Sequence, residues 1–243
     1  MKKTTMDIPD ALAESGFRIA QDIVKGGKII KIYFDGTLCR LARIEEDAAR
    51  KVAAYQAILN DIYKVQSYLS LACEIARDNF NTGRLVEKFD FNSKDQVICS
   101  SLYHSAVTLY GKCFTQAQGR SVKLEESQIR KRLTDDQVAT HEKLLKLRHN
   151  WAAHGGLSDH ESICGIMAFL PDGRARTLYV ATTTGFPSPA DLEDFLSLCE
   201  PMKSMIEDYK KKHEDKVFKG KDIQSHLADL QENSELLLFV EDS

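Results

Sequence analysis

No run of this sequence approaches the roughly 18 uncharged apolar residues that cross a bilayer as a helix, so no membrane-spanning segment is expected. The start, MKKTTMDIPDALAESG, has two lysines with no apolar stretch behind them, which predicts no secretory signal. No two cysteines stand as CxxC. Cys39, Cys73, Cys99, Cys113, Cys164 and Cys199 are scattered, a pattern that excludes a zinc ribbon or a redox dithiol. GxxxxGK[ST], GxGxxG and GxSxG are all missing, so phosphate-loop, dinucleotide and serine-hydrolase chemistry have no support. Internal repeats and low-complexity linkers are also absent. Together these absences predict a soluble cytoplasmic chain with reduced, mostly buried thiols, no cofactor and no bound metal. With 243 residues, 43% of them hydrophobic, the chain is long enough for a real core, and it reads as a single domain over residues 1–243.

A global basic field is missing too, since the formal net charge is −3. Locally the balance differs. From Lys112 to Arg148 there are nine basic and five acidic residues, a surplus of +4 that leaves −7 for the rest. A basic stretch of this kind is either a solvated helix face or a field for a phosphate-bearing ligand.

Helix starts are plainly written. Ser93 with Gln96, and Thr134 with Gln137, have capping-box spacing, while Ser188 precedes a first-turn Pro189 and Asp191. Each opens an apolar rhythm of threes and fours: Val97, Leu102, Ala106, Leu109, Cys113 and Phe114; Val138, His141, Leu144, Leu145, Arg148 and Ala152; Leu192, Phe195, Leu198, Met202, Met205 and Ile206. The longest run, over about 42–78, carries Ile44, Ala48, Val52, Tyr55, Leu59, Ile62, Leu69, Cys73 and Ala76 without Gly or Pro. The fold class expected is therefore mainly α: a bundle of long amphipathic helices with short joins. Residues 28–41, around Asp35-Gly36, and 162–182, around Asp172-Gly173, read as β-hairpins that pair into a small sheet. A C-terminal helix is followed by Leu236–Val240, which is too apolar to be left free and is expected to dock on the domain or on a partner.

Several chemical motifs fail on inspection. FDGT at 34–37 resembles an aspartyl-phosphatase loop, but Tyr33 stands where the nucleophilic aspartate belongs. His149, His154, His160 and Cys164 lack the spacing of three or four that stacks metal ligands on one helix face. Cys113, with His104 nearby, lies on the apolar stripe with Leu109 and reads as a core thiol.

What remains is LRHNWAAHGG at 147–156, holding Arg148, His149, Asn150, Trp151 and His154 just before a Gly-Gly stop. On a helix, Asn150 and His154 share a face, and Arg148 lies about 120° around from His154. In the last turn the helix dipole favours the imidazolium and raises the His154 pKa from about 6.5. A histidine that titrates near neutrality, a permanent cation and an amide suit phosphodiester chemistry: one moves the proton, one stabilises the phosphoryl oxygens, one orients. A single histidine cannot be both base and acid in one concerted step, so the mechanism predicts a homodimer that brings two copies of the segment together. The plain alternative is a pair of capping cations beside a core tryptophan.

The segment Arg148 to His154 resembles the Arg-(four to six residues)-His signature of the HEPN superfamily. The preceding aromatic-rich helix at 101–114 and the charged connection after it are similar as well, so the resemblance spans about 42–156. It implies a helical dimer with a composite site. It also implies either a metal-independent ribonuclease of toxin–antitoxin or abortive-infection systems, with an antitoxin or other protein partner, or a non-catalytic module that binds RNA, nucleotides or protein. Carried over by residue, His154 is the acid/base, Arg148 the phosphate stabiliser, and His149 or Asn150 the polar support. Family members often place Asn directly after the arginine; here it stands one place later, which leaves that supporting role open.

Overall fold

The structure is a computed structural model that describes residues 3–5, 15–42, 44, 46–81, 92–116, 121–149, 161–171, 174–183, 187–217, 230–232 and 234–241. Its contacts group into two compact units, one of Met1–Val52 with Lys212–Ser243, the other of Ala53–Lys211. Mainly helical architecture with small antiparallel sheets is what the structure has. Among the described residues no helix is long and apolar enough to cross a membrane.

The first unit holds an antiparallel sheet of β1 (Lys3–Thr5), β2 (Phe17–Val24), β3 (Gly27–Phe34), β4 (Thr37–Leu38) and β7 (Leu238–Glu241). The strand β3 is central. It pairs with β2 along its whole length, and on its other side with β4 near Phe34 and with β7 near Gly27. The expected Asp35-Gly36 hairpin is present: both residues have positive φ, 46° and 78°, as a two-residue turn of the primed type requires. FDGT is thus a hairpin turn. The apolar tail docks within its own chain as β7, and Arg40 fixes its approach by donating to Ser234 Oγ at 2.9 Å and to the Ser234 carbonyl at 2.6 Å. On the sheet, buried Asp22 accepts from Lys31 Nζ at 2.7 Å.

Six helices are described: α1 (Asp47–Asn81), α2 (Lys94–Lys112), α3 (Glu126–Ile129), α4 (Asp135–Leu147), α5 (Pro189–Ser197) and α6 (Cys199–Val217). The three caps form where expected. Ser93 accepts from the Gln96 N–H, Thr134 and Gln137 complete a reciprocal box at 3.3 and 3.1 Å, and Ser188 accepts from the Asp191 N–H. The run after Ser188 is two helices, broken at Leu198. Pro201 has no N–H to give the Ser197 carbonyl, and Gln137 Nε2 from α4 supplies that bond at 3.0 Å.

The core belongs to the second unit. Ile58, Ile62, Val65 and Leu69 of α1 meet Cys99, Ala106, Val107 and Tyr110 of α2, Leu144 of α4, and Leu192, Phe195, Met202 and Ile206 of α5 and α6. One face differs from the expected one. Val97 of α2 is exposed, and the helix instead buries Cys99, Tyr103, Ala106 and Tyr110. The second hairpin, β5 (Glu161–Phe169) with β6 (Ala175–Thr183), also lies in this unit and forms a separate two-stranded sheet, so the two hairpins do not pair with each other.

Candidate functional site

Two side-by-side contacts join α4 to α2, and both follow from the sevenfold spacing of His141 and Arg148, which puts them on one helix face. The inner contact is His141 with Tyr110. His141 is fully buried, and the Tyr110 hydroxyl lies 2.7 Å from its Nδ1. Phe114 and Tyr110 flank the imidazole, at ring-centroid distances of 4.9 and 5.8 Å. Burial lowers the His141 pKa, with Glu126, Arg130 and Glu142 as smaller influences, and burial pushes the Tyr110 hydroxyl up. A neutral histidine facing a neutral phenol results, and the imidazole Nε2 is buried with no hydrogen-bond partner among the described residues. A ring so enclosed cannot touch a substrate.

The outer contact is Arg148 on Gly111. The Arg148 N–H donates to the carbonyls of Leu144 and Leu145, and the chain widens into a π-type turn over Arg148 and His149. The arginine stem crosses α2 where that helix has no side chain. A Cβ built on Gly111 would stand 2.5 Å from Arg148 Cγ and 2.9 Å from Cδ. Arg148 is half-buried, and among the described residues no carboxylate pairs with its guanidinium. His149 is exposed. Asn150, Trp151, His154 and His160 lie outside the described residues.

The basic stretch is largely neutralised. Lys112 pairs with Asp61 at 3.2 Å, Lys123 with Glu125 at 3.5 Å, and Arg130, Arg132 and Lys143 pair with Glu142, Asp208 and Asp191 at 2.7 Å each. Five cations of the stretch are thus spent on local pairs, while Lys131, Lys146 and Arg148 have none among the described residues. A cleft of about 160 Å³ lined by Tyr103, Thr140, Lys143, Asp191 and Asp194 has two carboxylates against one cation, which is the wrong sign for phosphate.

Cys73, Cys99, Cys113 and Cys199 are buried core thiols, while Cys39 is half-buried. Cys113 is buried and its Sγ donates to the Leu109 carbonyl, while burial pushes Cys99 and Cys199 up to about 12. None of these four buried thiols is poised as a nucleophile. The sequence reading passed over Gly111 and Tyr110, whose roles depend on residues more than 30 positions away. A glycine inside a capped, apolar helix was the available signal. Compared with family models, with curated proteins and with solved structures, the chain matches none.

Proposed function

We propose that this chain is a HEPN-like, metal-independent endoribonuclease acting in the cytoplasm as a homodimer, within a defence or toxin–antitoxin setting. The observation that supports the reading best is Arg148: its stem is seated on Gly111, and its cationic head has no carboxylate partner among the described residues. Arg130 and Arg132 of the same stretch are, by contrast, held in ion pairs with Glu142 and Asp208.

In the proposed reaction the 2′-oxygen of a ribose attacks the adjacent phosphorus, and the bond from phosphorus to the 5′-oxygen breaks. His154 of one copy takes the 2′-hydroxyl proton, and His154 of the second copy gives a proton to the leaving 5′-oxygen. Arg148 meets the negative charge gathering on the phosphoryl oxygens, and His149 or Asn150 holds the phosphate in line. The products are a 2′,3′-cyclic phosphate and a 5′-hydroxyl.

The test is incubation of the purified chain with total RNA and with a defined tRNA in EDTA, beside Arg148→Ala and His154→Ala. Cleavage with 2′,3′-cyclic ends, reduced by about a hundredfold or more in each variant, is expected. Equal cleavage by all three proteins overturns the site, and no cleavage by wild type removes the catalytic reading. A second reading, a non-catalytic module that holds RNA, a nucleotide or a protein partner, is favoured by the apolar side chains that β5 and β6 leave exposed. It predicts that His154→Ala keeps full affinity for the ligand.

A further inference from the structure

The strands β5 and β6 pair without a break from Glu161↔Thr183 to Phe169↔Ala175, and the Leu170 N–H closes the end on the Arg174 carbonyl at 2.7 Å. That bond fixes which backbone groups are spent. In an antiparallel pair, alternate residues turn their N–H and C=O toward the neighbouring strand and away from it. Leu170, Ala168 and Ile166 therefore direct theirs at β6, while Phe169 and Met167 direct theirs outward. No third strand meets this edge among the described residues. The side chains here are bare on both faces of the ribbon: Phe169 is 78% exposed and Met167 59% on one face, and Ile166 is 44% exposed on the other.

A lone two-stranded ribbon is marginal in water. Proteins that keep a sheet edge single guard it with charge, proline or a bulge. The strand β5 has none of these guards. From Ser162 to Leu170 there is no Asp, Glu, Lys, Arg or Pro, and the register with β6 runs unbroken. The strand β6, by contrast, carries Arg176. An occupant of the β5 edge has to offer outward backbone groups, apolar side chains on both faces, and no charge. A second β5 offers all three. A two-fold axis normal to the ribbon reverses the strand and keeps its faces matched, so odd-numbered residues meet odd and even meet even. With the axis between two copies of Ala168, Met167 of each copy lies opposite Phe169 of the other, and the two exchange both outward backbone bonds. This register also sets the two most exposed side chains against each other, thioether on ring. We infer that the β5 edge pairs antiparallel with β5 of a second copy about Ala168, so that the two ribbons become one continuous sheet. The inference does not rest on the ribonuclease reading, whose composite site calls for a contact at Arg148 and His154.

The test is disulfide cross-linking and sedimentation of the full chain. On the axis, the two Ala168 Cα atoms stand about 4.5 Å apart, the spacing of a non-hydrogen-bonded pair, and a disulfide spans that distance. Ala168→Cys is expected to give a covalent dimer on mild oxidation. Ile166→Cys is not, because its two copies stand about 14 Å apart along the strands, beyond disulfide reach. The wild-type chain, with Cys164 in the same strand, is the baseline. Phe169→Lys places a guarding charge on the edge. It is expected to abolish the cross-link of Ala168→Cys and to weaken the dimer about tenfold or more, since the axis counts each substitution twice. Its circular dichroism is expected to stay unchanged because Phe169 is exposed. No cross-link from Ala168→Cys overturns the inference. So does equal cross-linking from residues 166 and 168, or a cross-link that ignores Phe169→Lys. Because the cross-link reports this edge alone, it stands or falls whether or not the chain cleaves RNA.

Discussion

His141 stands in the sequence as one more member of an apolar rhythm, and burial agrees with that place. Its chemistry needs more than the rhythm, because its partner Tyr110 lies 31 residues earlier and no local pattern links the two. Burial holds the folded-state pKa of His141 below the ordinary 6.5. The unfolded chain therefore takes up this proton at a higher pH than the folded one. The stabilisation from a neutral His141 is complete above about 6.5 and is lost as the pH falls from there toward the folded value. Thermal melts between pH 7.5 and 5 are expected to show that decline, and to show less of it in Tyr110→Phe with His141→Leu. His213, also lowered by burial first and by Lys216, Lys51 and Lys212 after it, adds a slope of the same sign, so the difference between the two proteins isolates His141. An identical pH dependence in both sinks the argument.

At the scale of elements, helix starts were legible because a cap is a local contract: Ser93, Thr134 and Ser188 each bind an N–H within three residues. The buried line through Leu192, Phe195, Leu198, Met202, Met205 and Ile206 was legible for the same reason. The strand β2 was not, since Gln21 and Asp22 interrupt its alternation, and Lys31 reaches the buried Asp22 carboxylate from β3. The seat between α2 and α4 was equally hidden. Elsewhere in a helix Gly→Ala stabilises by about 1 kcal/mol. At Gly111 the new methyl would strike the first carbons of the Arg148 stem, too near the backbone to swing aside. Gly111→Ala is therefore expected to lower the melting temperature of the wild-type chain and to raise it in an Arg148→Ala background. Calorimetry on the four proteins measures that coupling without any RNA. If alanine helps equally in both backgrounds, the seat has no energetic meaning. Under the proposed function, displacing the arginine by about 1 Å is expected to cost about a hundredfold in cleavage.

For the molecule as a whole, the proposed composite site would need two copies. Specific cleavage activity is expected to fall on dilution, in step with the loss of dimer seen by sedimentation; constant activity well into the monomer range would show that one copy suffices. The division into two units was beyond sequence reading, because the first unit is assembled from the two far ends of the chain. That assembly has a consequence in time. Gly27 and Glu241, which face each other across β3 and β7, are made about 200 residues apart. At about 5–20 residues per second, a ribosome needs roughly 10 to 40 s to get from one to the other. Through that interval the edge of β3 near Gly27 stands open, the kind of edge on which nascent chains pair with the wrong neighbour. The strand β7 is thus a seal applied late, and a chain that stops short of Leu238 is expected to keep that edge of β3 unpaired.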